Sequence, residues 1–132
     1  ALLAFGEALS LENCPAIVAE LKGEVAGALA YRLQPRALHV VALATDPLWQ
    51  RSGVASQLLA EAEVLAARHG LNKLVASTSN DNLPSLYLFQ RRGWLIDEVV
   101  PGALLSHAAA LGGRGFGGIP VRDEVRLAKQ VG

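Results

Sequence analysis

The spacing of apolar and polar positions divides the chain into short, well-punctuated elements. Residues Ala1 to Leu11 are helix formers with Leu2, Phe5 and Leu9 at intervals of three and four, which predicts a first helix, stopped by Asn13-Cys14-Pro15. "AIVAELKGEVAGALAYRL" predicts two strands, Ala16 to Leu21 and Val25 to Leu33, joined by Lys22-Gly23-Glu24 as a hairpin turn that relies on glycine. Gln34-Pro35-Arg36 interrupts the pattern. "LHVVALAT", Leu38 to Thr45, is then a continuous apolar run of the kind a strand buried on both faces shows, and is expected at the centre of a sheet.

Past Asp46-Pro47 the period changes. Val54, Leu58, Ala62, Leu65 and Ala66 share one helical face, Gln57, Glu61 and Arg68 lie off it, and Gly70 supplies a left-handed cap. "NKLVAST" predicts another strand. "NDNLPSLYLFQRR" predicts a helix with a capping side chain at or near Asn82, Pro84 in its first turn and an end at Gly93. "WLIDEVV" resumes strand character, and Pro101 to Pro120 runs into "GGRGFGG", expected to be a flexible connection. "IPVRDEVRLAKQ" alternates imperfectly and fits a final edge strand. The order helix, three strands, helix, strand, helix, two strands implies a mixed sheet of the α/β or α+β class in one domain over residues 1–132.

Composition narrows the function classes. Over half of the 132 residues are apolar and 12 basic residues balance 12 acidic ones, so nucleic acid and anionic membranes are not expected partners. No apolar run reaches the ~20 residues of a membrane span and no signal-peptide pattern is visible, which makes a cytoplasmic setting the default. Cys14 is alone and is expected to be a small buried thiol. The chain has no Met and opens inside an apolar stretch, which suggests a segment of a longer gene.

The chemistry concentrates in "DPLWQRSGVASQLL", a buried strand, a short connection and a glycine at the opening of an amphipathic helix. Such a helix end carries unpaired N–H groups and partial positive charge, and suits a phosphate. Gly53 and Ala55 are small enough to let a phosphate reach the backbone, and Arg51 adds a formal charge. An ordinary strand-to-helix turn would read the same locally. The Gly-Lys-Ser/Thr end of a Walker loop and the three glycines of a dinucleotide fingerprint are both absent.

"QRSGVA" resembles the Q/R-x-x-G-x-G/A signature of the GNAT superfamily of N-acyltransferases. "LATDP" before it and "NDNLPSLYLFQRRGW" after it resemble the family's neighbouring motifs in the same order. The likeness covers Ala16 to about Val100, "GIPVRDE" resembles the tail of small bacterial members, and the family's usual first strand and helix are absent or abbreviated. The resemblance implies a sheet whose central parallel strands splay around acetyl-CoA. Leu43, Ala44 and Thr45 would meet the pantetheine arm, Arg51, Ser52, Gly53, Val54, Ala55 and Ser56 the pyrophosphate, and Asn82 the cofactor from the second motif. No metal is implied.

The implied reaction is direct acetyl transfer from acetyl-CoA to a primary amine of a small molecule or protein; the alternative is an acyl-CoA-binding module with weak or lost catalysis. In some members a glutamate five residues before the motif asparagine is the base, and here that position is Ser77. In others the base precedes the pantetheine segment by four residues, which points to His39, although for a lone strand histidine pairing with a polar neighbour is the more common role. The family's acid tyrosine falls on Phe89, seven residues after Asn82 and four before Gly93, so an acid is not expected there. Tyr87 is rotated from that position by about 200° and is expected to be a partly buried aromatic. Trp49 and Trp94 are expected to pack, whereas Phe116, flanked by glycines, could pack or close over an acceptor. A shortened sheet edge invites pairing with a second copy of the chain.

Overall fold

The computed structural model describes residues 2–4, 7–9, 14–46, 53–106 and 114–131. The described strands are β1 (Leu2–Ala4), β2 (Glu7–Leu9), β3 (Ala16–Leu21), β4 (Glu24–Leu33), β5 (Leu38–Thr45), β6 (Lys73–Ser79), β7 (Leu95–Val100) and β8 (Glu124–Gln130); the helices are α1 (Val54–Arg68) and α2 (Leu83–Arg91). Six strands form one mixed sheet in the order β3-β4-β5-β6-β8-β7. The chain divides into two compact units, residues 11–75 with 130–132, and residues 1–10 with 76–129. Among the described residues no helix is long and apolar enough to cross a membrane.

In the unit of residues 11–75, β3 and β4 form an antiparallel hairpin with Leu21 opposite Glu24. Lys22 (φ 53°) and Gly23 (φ 79°) both take the left-handed conformation, the two-residue turn whose twist matches that of the strands; Glu24 already belongs to β4. β5 pairs antiparallel with β4, but its register slips between Ala30↔Ala42 and Tyr31↔Val40, leaving Val41 as one extra residue. That bulge accounts for the unbroken apolar run, since Val40 and Val41 are adjacent and both buried. α1 rests on β3, β4 and β5 through Val54, Leu58, Leu59, Ala62 and Ala66. Its end has the expected glycine cap: Leu71 N bonds Ala66 O, Gly70 N bonds Ala67 O, and Gly70 has φ 71°.

In the unit of residues 76–129, α2 ends in the same way, with Trp94 N on Phe89 O and Gly93 N on Gln90 O. The rings of Phe89 and Trp94 meet edge to face, with centroids 4.8 Å apart at 68°. This is the apolar contact that accompanies such a cap, worth about 0.5–1.5 kcal/mol beyond its buried area.

Two expectations are corrected. Residues 2–4 and 7–9 pair as an antiparallel two-stranded sheet rather than a helix. Eleven residues are marginal for a helix and Gly6, in the interior of the stretch, costs it about 1 kcal/mol. β8 is not an edge strand: it lies between β6 and β7, with Glu124, Val125 and Leu127 buried, and β7 is the exposed edge. Alternation reports which face of a strand is buried, not which strands flank it.

Candidate functional site

Two strand-to-helix junctions hold nearly all of the residues singled out by the sequence. At the first, Gly53 is the N-cap of α1 with φ 88°, a conformation that favours glycine. Among the described residues no side chain caps this end, its first turn carries no acidic residue, and a Cβ built on Gly53 meets nothing within 4 Å. The helix closes behind it through Gln57 N to Gly53 O at 3.0 Å. Val54 is buried under the helix, Ala55 and Ser56 are half-buried, and Arg51, Ser52 and Trp49 lie outside the described residues.

Leu43, Ala44 and Thr45 form the carboxyl end of β5, opposite Leu29, Ala28 and Gly27 of β4. Gly27 sets how closely α1 approaches this end. A Cβ at residue 27 would stand 2.9 Å from Ala44 O, 2.9 Å from Val54 Cγ1 and 3.2 Å from Leu58 Cδ1. The start of α1 is thus seated against the strand end through a glycine that the motif reading passes over.

At the second junction, β6 runs into α2 through Asn80-Asp81-Asn82. Asn80 Oδ1 accepts from Arg122 N (2.9 Å) and Asp123 N (3.0 Å), and its Nδ2 donates to Pro120 O at 3.0 Å. Asp81 is 7 % exposed; its Oδ2 accepts from Phe116 N at 3.0 Å. Asn82 is the N-cap of α2, with Oδ1 accepting from Ser85 N at 3.2 Å, so any cofactor contact falls to its Nδ2 or backbone.

These bonds bear on the glycine-rich stretch expected above as a flexible connection. Where it is described, residues 114–120 form a bridge from Arg114 to Pro120 around a short 3-10 turn at Phe116–Gly118, closed by Gly115 N to Ile119 O at 2.9 Å and Arg114 Nη1 to Gly118 O at 3.0 Å. Polar groups of the α2 junction bind this segment, through Asn80 to Pro120 and Asp81 to Phe116. Phe116 stands on that turn, 52 % exposed.

The residues considered for proton transfer are widely distributed. His39 is half-buried on β5, opposite Arg32 of β4. Phe89 is 4 % exposed and belongs to the core under α2. Tyr87 is 66 % exposed with the Arg91 guanidinium 5.8 Å from its ring centre, which corrects the expectation of a partly buried ring. One helical turn separates Tyr87 from Arg91, so both occupy the solvent side of α2. His69 is the C-cap residue of α1, and His107 lies outside the described residues.

One group was absent from the motif reading. Glu124 on β8 is 3 % exposed, and the Ser77 hydroxyl of β6 donates to its Oε2 at 2.5 Å. Its Oε1 accepts from Arg126 Nε at 3.0 Å and Nη2 at 2.9 Å, while Arg126 Nη1 reaches Glu98 of β7 at 2.8 Å. The hydrogen bond that Arg126 donates to Glu124 is the main reason its guanidinium is held above its ordinary pKa, against the opposing cost of burial. Glu124 and Arg126 stand two apart on a strand and hence on one face; that spacing was the available signal.

Residues 2–94 match the profile of the family described as "Acetyltransferase (GNAT) family". A Bacillus subtilis acetyltransferase solved in complex with CoA superposes with a TM-score of 0.83 at 26 % identity, over 92 % of this chain and 79 % of that one. An IAA acetyltransferase from Bacillus cereus ATCC 14579 gives 0.79 at 26 % identity, over 88 % and 77 %. The protein YxbD of Bacillus subtilis (strain 168) is 24 % identical over 111 residues, 82 % of this chain and 69 % of that protein. With its mixed six-stranded sheet, its glycine-opened α1 and a profile match across most of its length, the chain belongs to the GNAT acetyltransferase family.

Proposed function

We propose that the protein moves an acetyl group from acetyl-CoA to a primary amine of a small molecule or protein, with the donor's pyrophosphate at the start of α1. The observation that carries this reading is the helix start at Gly53, where none of the described residues caps the end with a side chain or fills the space a Cβ would take. Backbone N–H groups and the partial positive charge of the helix suit a diphosphate there. Backbone groups of Leu43, Ala44 and Thr45 supply hydrogen bonds to the amide-bearing pantetheine arm. The acetyltransferase crystallised with CoA, a relative at 26 % identity, supports the choice of donor.

Transfer needs few side chains. The amine nitrogen attacks the acetyl carbonyl carbon, a backbone N–H near the end of β5 stabilises the oxyanion, and the C–S bond breaks to release CoA thiolate. Near neutral pH that thiolate leaves without an obligatory acid, consistent with a core Phe89. Titration calorimetry with acetyl-CoA, followed by thiol release across a panel of amines, tests the proposal. Saturable binding with amine-dependent thiol release is expected; folded protein that does not bind acetyl-CoA would overturn it.

A further inference from the structure

We propose that the outer edge of β3, with the groove between β3 and α1, docks an extended peptide segment carrying basic side chains, which joins the sheet as a further strand. Both elements belong to the unit of residues 11–75, and the proposal does not depend on acetyl transfer. β3 ends the six-stranded sheet, so among the described residues no strand pairs with its outer side. Pro15 O accepts from Tyr31 N at 3.0 Å, and Ile17 and Ala19 stand opposite Leu29 and Gly27 in the same register. Hydrogen-bonding directions alternate along a strand, so Ala16 and Val18 turn their N–H and C=O groups outward.

Along this edge lies a cavity of about 430 Å³, lined by residues 17–21 of β3 and by Gly53, Val54, Gln57, Leu58 and Glu61. Val54 and Leu58 are buried in its wall, whereas Gln57 and Glu61, one helical turn apart, are exposed. A Cβ at residue 27 would approach Val54 and Leu58, so Ala19, opposite Gly27, faces α1, and Glu20 faces the other side of the sheet. A strand laid against β3 therefore has Glu61 on its α1 side and Glu20 on the other. A basic side chain on either face finds a carboxylate.

Charge selects the occupant. The lining holds Glu20 and Glu61 but no basic residue, and neither carboxylate has an ion-pair partner among the described residues. Lys22 in the adjoining turn has Glu24 beside it. The nucleotide end of CoA is anionic and does not suit such a lining, and a second copy of β3 would bring the same carboxylates again. Arginine or lysine side chains complement it, while the main-chain bonds of an added strand supply affinity. The opposite end of the sheet is guarded: β7 carries Asp97 and Glu98 and a register shift between Ile96 and Glu98. In β3, Glu20 is the one charge, Val18 is 50 % exposed, and the shift in pairing leaves the extra residue, Ala26, on β4. Its edge is left straight and receptive.

The test titrates the protein, without acetyl-CoA, into a short fluorescent peptide that alternates arginine with valine or threonine, and into a matched peptide with glutamate for arginine. Amide hydrogen exchange is followed in parallel. The arginine peptide should bind saturably, about tenfold or more tighter than the glutamate peptide, and should slow exchange at Ala16 and Val18. Glu61→Lys should weaken binding about tenfold. Val18→Pro, which removes an outward N–H and spares the β3–β4 ladder, should abolish binding with the fold retained. If Val18→Pro does not fold, Glu61→Lys and the exchange pattern decide. Equal affinity for the two peptides, unchanged exchange at Ala16 and Val18, or binding that survives in folded Val18→Pro would each overturn the proposal. So would displacement of the peptide by CoA, which gives the groove to the donor, or by equimolar spermidine, which reduces it to a site for small polycations. A dimeric free protein with the Ala16 and Val18 amides already slow would assign the edge to a second copy and overturn it as well.

Discussion

The two strand-to-helix junctions solve the same backbone problem in opposite ways. Both helices leave N–H groups without partners in their first turn. At α2, Asn82 fills the cap, Pro84 removes a donor, and Asn80 and Asp81 bind the neighbouring segments. At α1, Gly53 offers no side chain, and Gly27 seats the helix close against the end of β5. The contrast is one of closure: side chains fill the α2 junction, whereas the described residues leave the start of α1 to backbone and space, which is what the proposed pyrophosphate site requires.

Closing the open end is the strongest way to break this contrast. Gly53→Asp would supply a cap and put a carboxylate at the proposed pyrophosphate site; repulsion of about 3 kcal/mol should weaken acetyl-CoA binding about a hundredfold by calorimetry. Stability should change by less than about 1 kcal/mol, as the new cap offsets the strain of a left-handed Asp. Next is the seat of α1. Gly27→Ala should lower stability by about 2 kcal/mol in denaturant unfolding, because its Cβ meets Ala44 O, part of the backbone, as well as Val54 Cγ1. The smallest effect belongs to the closed end. Asn82→Ala should cost about 1 kcal/mol, whereas Asn82→Asp keeps the cap and should restore it, read from the same unfolding curves.

Legibility followed the range of the physics involved. β3, β5, α1 and α2 were readable because period, Gly and Pro act within a few residues; both glycine-capped helix ends fell where the pattern put them. The open start of α1 was legible for the same reason, since one glycine determines it. The two-stranded β1–β2 pair was not, because Ala- and Leu-rich residues satisfy a helical period and a strand equally well. β8's place between β6 and β7 depends on chain crossings that no local pattern records. Glu124 escaped for a related reason: its partner Ser77 is 47 residues away, and only strand order brings them together. Phe89 could be counted into a motif position, but its burial against Trp94 had to be seen.

The seat of Gly115 has a consequence for anyone who would redesign the loop. A Cβ at that position would collide with the Asp81 carboxylate, which also binds the next amide, whereas a Cβ at Gly117 or Gly118, with φ of 64° and 79°, meets none of the described residues within 4 Å. The segment is therefore a fixed stem with a replaceable tip. A library that keeps Gly115 and Asp81 while varying Phe116 explores new side chains on an unchanged backbone; one that varies Gly115 mostly samples misfolded loops.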